Sequence, residues 1–307
     1  KRSRNKGNRS CLQSLISIKK GNVMQHLPKF EKADLRVMTA NLLFDATAPE
    51  RESKILENLA YYQPDIIGFQ EINRFYRDSF IPKFEAMGYK FVTAQPDPEH
   101  RRESELRSLS KKYPTLNYFP IAYRADRFEE VESLFLMYTS TYTQTKGMTA
   151  AVLRDKTSGR LIGHINTHAA LILRSYGLDG MSDRVDGAVW RADNARQMLE
   201  EKRAINEKYG DIPFFFTGDF NGGEEEEFYR VITESGMRNS KYVAKVGASL
   251  GQFTYHAVIG ALPDNKRTPI DHIFVSTGVD VWVHSIETRR EVLEASDHCM
   301  VYADVSI

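Results

Sequence analysis

Gly218-Asp219-Phe220-Asn221 closes the apolar run Ile212-Pro213-Phe214-Phe215-Phe216-Thr217. Residues two apart in a strand point to one side of the pleat, so Asp219 and Asn221 are presented together. Asp supplies negative charge or a base, and Asn supplies an acceptor and two donors. Such a pair can hold a water and an anionic substrate at one spot. The same residues also suit a strand-to-helix turn, with Asn221 as N-cap before Gly222 and Gly223.

Other apolar runs end or begin in matching chemistry. The run 35–40 leads into Asn41, 65–70 into Glu71, and 161–167 into His168; Asp271 opens the run 273–275, and Ser296-Asp297-His298 opens the last one. Attack of water on an anionic substrate needs neutralised charge and an aligned nucleophile. Glu71 suits a hard cation such as Mg²⁺, which takes oxygen ligands, and Asn41 offers a neutral oxygen. Taken singly, Glu71 is a strand-end acid, His168 an edge histidine and Asp271 a turn cap after Pro269.

Asn41-Leu42, Gln70-Glu71, Asn166-Thr167-His168, Gly218-Asp219-Phe220-Asn221, Ile270-Asp271-His272-Ile273-Phe274 and Ser296-Asp297-His298, in that order, resemble the endonuclease/exonuclease/phosphatase superfamily. The resemblance spans about Leu35 to Ile307 and is specific to the superfamily rather than to a substrate. It implies a divalent-metal-dependent phosphoester hydrolase, a phosphodiesterase or phosphatase, working by direct in-line attack of water. Glu71, Asn41 and Asp297 match the Mg²⁺ or Mn²⁺ site. Asp219 matches the residue that orients or deprotonates the water, and Asn221 the one that holds this aspartate and the scissile phosphate. His298 matches the phosphate-contacting histidine with Asp271 as its carboxylate partner, and His168 a second histidine on the phosphate or leaving group. Tyr123, in what resembles the central hairpin (121–124 then 126–128), and Arg196, in a helix before Asp219, match further substrate-side positions.

Departures bear on substrate. His168 is followed by Ala169-Ala170 where related hydrolases carry Leu-Asp, and no glutamate precedes the hairpin near 117–120. A small molecule, nucleotide or lipid headgroup is the favoured substrate, with DNA or RNA as the alternative. A silent binding module would have lost one of Glu71, Asp219 or His298, and all are present. His256 suits a structural role as well as a site role, and strand alternation is read as turning His164 and His272 away from the cleft. Glu224–Glu227 reads as the acidic first turn of a helix rather than a metal-binding run.

These residues need a scaffold, and the apolar runs supply one. Strands are expected at 35–41, 65–71, 89–94, 212–218, 252–256, 270–276, 279–287 and 298–306, with β-rich segments at 119–138 and 148–168. Helices are expected at 50–62, 73–87, 190–208 and 224–236. Mixed parallel and antiparallel runs fit an α/β fold of two packed sheets with helices outside, a four-layer α/β/β/α sandwich, which agrees with the resemblance. Two long segments, 95–117 and 169–189, follow strands and are placed to wall the cleft.

At 307 residues the chain suffices for one large domain. The expected division is a basic arm over 1–32 and a single domain over 33–307. The arm holds nine of the 42 Lys/Arg and one of the 41 Asp/Glu, leaving the domain with 33 basic and 40 acidic residues. An acidic body argues against tight duplex binding, which depends on many phosphate contacts. The arm is read as a solvated linker beside a lost signal or anchor, with contact to nucleic acid or an anionic membrane as the alternative. A secreted or tethered location and a monomeric state are the accompanying expectations. No apolar stretch approaches the roughly 20 residues of a membrane span, and no signal peptide is visible. Cys11 and Cys299 make neither a disulfide framework nor a zinc site.

Overall fold

A computed structural model of the chain describes residues 26–44, 47–94, 115–139, 146–171, 183–248, 253–263 and 268–307. In chain order the strands begin with β1 Leu35–Asn41, β2 Ile66–Gln70, β3 Ile72–Asn73, β4 Tyr89–Phe91, β5 Thr115–Tyr118, β6 Ile121–Arg124, β7 Phe128–Met137 and β8 Gly147–Asp155. They continue as β9 Leu161–His168, β10 Phe214–Asp219, β11 Arg238–Asn239, β12 Gly247–Ala248, β13 Asp271–Val275, β14 Asp280–Ile286 and β15 Val301–Ser306. The helices are α1 Ala48–Tyr62, α2 Ile81–Glu85 (preceded by a π-helical turn, Tyr76–Phe80), α3 Asp183–Tyr209, α4 Glu227–Glu234, α5 Ser240–Val243 and α6 Arg290–Leu293.

The strands form a seven-stranded sheet, β12-β14-β15-β1-β2-β6-β4, and a six-stranded sheet, β11-β13-β10-β9-β8-β7. Strand alternation then sorts the apolar residues into three cores. Leu35, Val37, Ile66, Phe215, Ile273 and Val301 fill the space between the sheets. Met38, Ile67 and Phe69 point the other way, against Ile55 and Leu59 of α1. Ile165, Phe214 and Phe216 meet Ala195 and Met198 of α3 and Phe228 of α4. Two sheets with helices on both outer faces make the expected four-layer sandwich.

β1 and β2 run parallel, as do β9 and β10, so their carboxyl ends open on the same edge of the sandwich. β13 and β15 run antiparallel to β10 and β1 and begin at that edge. Every residue on the inner face at that edge is therefore brought toward one place. Beneath it a polar layer crosses the sheets. Gln70 Nε2 donates to Asn166 Oδ1 at 2.7 Å, and Asn166 Nδ2 donates to the Phe69 carbonyl at 2.7 Å.

Several local expectations change. The segment 121–128 is not a hairpin, because β6 belongs to one sheet and β7 to the other. Its turn hands the chain across, pinned by Arg127, which bonds Asp65 just before β2 of one sheet and Asp155 of β8 in the other. α3 begins at Asp183 and absorbs the end of the second long segment. The expected strand at 252–256 is, among the described residues, a single bridge between Tyr255 and His298. Residues 95–114 and 172–182, the bulk of the two proposed cleft walls, lie outside the described residues. So do residues 1–25 of the arm, whereas 26–32 lie against the domain. Leu27 N donates to the Tyr61 carbonyl at 2.8 Å, and Phe30 stacks on Trp282. This packed segment, 26–32, leads directly into β1.

Candidate active site

Register sets the first row of the site. In the six-stranded sheet His168 lies opposite Asp219, and Asp219 opposite Asp271, so three polar side chains stand abreast on the inner face. Asn41 ends β1 across the cleft, and its Nδ2 donates to Asp219 Oδ2 at 3.0 Å and Glu71 Oε1 at 3.2 Å. His298 completes the group, with Nδ1 at 2.9 Å from Asp271 Oδ2 and Nε2 at 3.8 Å from Asp219 Oδ2. His168 Nε2 lies 3.4 Å from the same Asp219 oxygen and 3.9 Å from Glu71 Oε1.

The backbone holds the group under strain. Glu71 and Asn221 take φ of 62° and 53°, a left-handed region that costs non-glycine residues about 1–3 kcal/mol. Glu71 is held there by the Phe44 amide, which donates to Oε2 at 3.0 Å. The Asn221 amide donates to Asp219 Oδ1 at 2.8 Å, and its Nδ2 donates to the Ala169 carbonyl at 2.9 Å. Asp271 is fixed through Thr254, whose Oγ1 accepts from the Asp271 amide at 3.0 Å. Ser296 Oγ donates to the Asn41 carbonyl at 2.7 Å, joining the segment that leads into β15 to the end of β1.

Lys146 was not singled out by the sequence. It precedes Gly147, which lies opposite His168 in the register of β8 and β9. Its ammonium, buried to 5 % exposure, contacts His168 Nε2. A lone lysine before a strand carries no pattern, and only the pairing reveals it. Burial brings this ammonium down to about 8 despite the opposing pull of Glu71 and Asp219.

The same burial divides the two histidines. His168 is held well below its ordinary value by burial, with Lys146 and His298 adding repulsion. It is neutral, and Lys146 occupies its Nε2 acceptor. His298 is also buried, but the charges of Asp271 and Asp219 outweigh burial and hold it well above the ordinary value. It is an imidazolium at neutral pH. Burial and the charge of Asp271 raise Asp219, and burial raises Glu71, with Asp297 adding to the effect.

Crowded, buried carboxylates are the surroundings a divalent cation relieves. Glu71, His168 and Asp219 form one group of potential ligands, and Asp219, Asp271 and His298 another, each with its atoms within 4.8 Å of one another. The oxygens of Glu71, Asn41 and Asp297 suit a hard ion such as Mg²⁺ or Mn²⁺ better than zinc.

The structure gathers Asn41, Glu71, His168, Asp219, Asn221, Asp271, Asp297 and His298 at this edge and leaves Tyr123 and Arg196 outside it. Tyr123 pairs with Ile66, at the far end of β2 from Glu71, and packs in the inner core. Arg196 is exposed and bonds Asp193 and Glu227. Arg191, five residues earlier, is buried instead, bonding Glu226 and the Ala170 carbonyl just after His168. His272 faces outward among Phe220, Phe228 and Phe274, as alternation requires. His164 does not face away: it shares the parity of His168 and meets Thr217 Oγ1 at 2.7 Å between the sheets, farther down the strand. Glu224 pairs with Lys241 in the turn before α4, outside the site.

A sequence model of the Endonuclease/Exonuclease/phosphatase family matches residues 38–298. Nocturnin of Xenopus laevis is 25% identical over 201 residues, 63% of this chain and 45% of that protein. Human nocturnin is 27% identical over 202 residues, 63% of this chain and 41% of that protein. The chain thus spans less than half the length of these relatives. Among solved structures, the human nocturnin catalytic domain with bound sulfate anion superimposes with a TM-score of 0.67 at 24% identity, covering 91% of this chain and 95% of that one. The mannosyl-6-phosphatase of Bacteroides thetaiotaomicron does so with a TM-score of 0.63 at 19% identity, over 89% and 100% of the two chains. These neighbours share the fold, and the sequence match runs through the whole cluster from Asn41 to His298. The chain belongs to the endonuclease/exonuclease/phosphatase family of phosphoester hydrolases.

Proposed function

We propose that this enzyme is a Mg²⁺- or Mn²⁺-dependent hydrolase of small phosphoesters, acting by direct attack of water aligned by Asp219. The observation that carries the reading is the convergence of Asp219 with His168, Asn41 and the His298–Asp271 pair on one inner edge. In the attack, water oxygen bonds to phosphorus, the P–O bond to the leaving group breaks, and the water proton passes to Asp219 Oδ2. The Asn221 amide on Oδ1 leaves Oδ2 as the oxygen turned to the reaction. The His298 imidazolium, held by Asp271, neutralises charge gathering on the non-bridging oxygens. Lys146 supplies a second positive charge beside His168, whose neutral ring acts as a hydrogen-bonding group rather than an acid. Glu71, Asn41 and Asp297 would hold the divalent ion, which supplies charge neutralisation at the phosphoryl and leaving oxygens.

A small substrate is supported by the acidic body of the chain and by its likeness to a phosphatase named for a sugar phosphate. The test is turnover of p-nitrophenyl phosphate, bis-p-nitrophenyl phosphate and plasmid DNA with Mg²⁺, Mn²⁺ or EDTA. Metal-dependent turnover of a small ester is expected, falling about 10²–10⁴-fold in Asp219→Asn, as for loss of a positioned base. Equal turnover in Asp219→Asn sinks the mechanism, and preferred cleavage of DNA turns the reading to a nuclease.

A further inference from the structure

The side chains at the metal end of the site are held by two backbone segments, and both lead to one buried arginine. Arg51, on the first turns of α1, is 4 % exposed. Its Nη1 donates to the Leu42 carbonyl at 2.9 Å and also to the Ala295 carbonyl. Its Nη2 donates to the Leu43 carbonyl at 2.8 Å and to the Tyr76 hydroxyl at 3.1 Å. Its Nε donates to Thr47 Oγ1 at 3.1 Å.

Those carbonyls belong to peptides whose other groups hold the site. The turn after β1 presents its carbonyls to Arg51 and its amides to Asn41 and Glu71: Leu43 N donates to Asn41 Oδ1 at 3.0 Å, and Phe44 N to Glu71 Oε2 at 3.0 Å. Leu43 sits at φ 54°, a conformation a leucine adopts only when held there. Tyr76 reinforces the same turn by donating to the Leu42 carbonyl at 2.6 Å. On the other side, Ala295 is followed by Ser296, whose hydroxyl donates to the Asn41 carbonyl, and then by Asp297. A planar guanidinium with donors in a fixed fork is suited to hold two loops at a set spacing, whereas an ammonium is a single point of charge.

We propose that Arg51 is a positioning residue of the metal site, setting the distance between the Asn41–Glu71 oxygens and Asp297 without touching the ion. This role rests on the metal reading of the preceding section. Residues that orient metal ligands change affinity about 10–100-fold when lost. Arg51→Lys keeps the charge but not the fork, so it tests geometry rather than net charge.

The experiment is Mn²⁺ titration of the full chain, with free Mn²⁺ read by electron paramagnetic resonance, on wild type and Arg51→Lys. A folded Arg51→Lys, with unchanged near-ultraviolet circular dichroism, should bind Mn²⁺ about 10-fold or more weakly, and the Mn²⁺ dependence of turnover should shift by the same factor. Equal affinity in that folded variant overturns the proposal while leaving the metal site standing. Wild type that takes up no Mn²⁺ overturns the metal reading itself, and this role with it. If Arg51→Lys does not fold, Tyr76→Phe removes only the hydroxyl that supports the same turn, and a several-fold loss of Mn²⁺ affinity is expected there. Unchanged affinity in Tyr76→Phe then overturns the proposal.

Discussion

Lys146 and His298 supply positive charge to the same site, yet their proton affinities are shifted in opposite directions because their neighbours differ. His298 sits between Asp271 and Asp219, so its proton is retained well above neutrality. Lys146 gains less from Glu71 and Asp219 than it loses to burial, and its ammonium is present below about 8 and lost as pH rises through that value. The basic limb of kcat/KM should therefore fall near pH 8. In Lys146→Arg the limb should move upward, since a guanidinium stays charged throughout this range. A limb that stays in place in this variant removes Lys146 from the reaction. Asp271→Asn tests the other cation. It deletes the largest influence that raises His298, so the imidazolium is lost at lower pH and turnover at pH 8 should drop about 10²-fold or more. Both profiles are measured with one small phosphoester at saturating metal.

At the scale of strands, what the sequence exposes is periodicity, and what it hides is pairing. Runs such as 35–41 and 214–219 are buried on both faces and therefore read as largely apolar stretches, broken in the first by Arg36 and Thr39. Each polar residue at their ends was legible for the same reason. The turn at 125–127 was misread because two β runs around a short turn look like a hairpin, whereas the pairing puts β6 and β7 in different sheets, with Arg127 bonded at the crossing. Tyr123 was misplaced because its register against Ile66 cannot be read from spacing. Arg191 and Arg196 are five residues apart, about 140° around a helix, so choosing one over the other chooses a face. Gly68 shows how tightly the pairing is set. A Cβ there would lie 2.1 Å from Asn166 Oδ1 and 2.5 Å from Thr217 Oγ1, within the polar layer under the site. Gly68→Ala should cost about 1–3 kcal/mol, as overpacking does, and shift the urea midpoint downward. A stability equal to wild type would mean the sheets separate there more easily than this packing implies.

Across the whole molecule, the first and last strands lie side by side, so the fold closes only when its two ends meet. Arg36 of β1 and Asp304 of β15 form a buried pair at 2.7 Å, away from the catalytic edge. Segment 26–30 completes their surroundings: the Leu27 and Pro28 carbonyls accept from Arg36, and the Phe30 amide donates to Asp304 Oδ2 at 2.8 Å. A chain starting at residue 33 leaves those donors of Arg36 without the acceptors that now cover them. Comparison of chains 26–307 and 33–307 by urea unfolding should show the shorter one weaker by about 0.5–1.5 kcal/mol for each of these part-buried hydrogen bonds left unmade. The register places Arg36 and Asp304 five strand positions from Asn41, about 16 Å along β1. The kcat of the folded fraction on a small phosphoester should therefore match between the two chains. Equal stabilities would show that the segment 26–32 adds nothing to the closure of the fold. A fall in kcat with unchanged stability would show that the packed segment acts on the catalytic edge as well as on the closure of the fold.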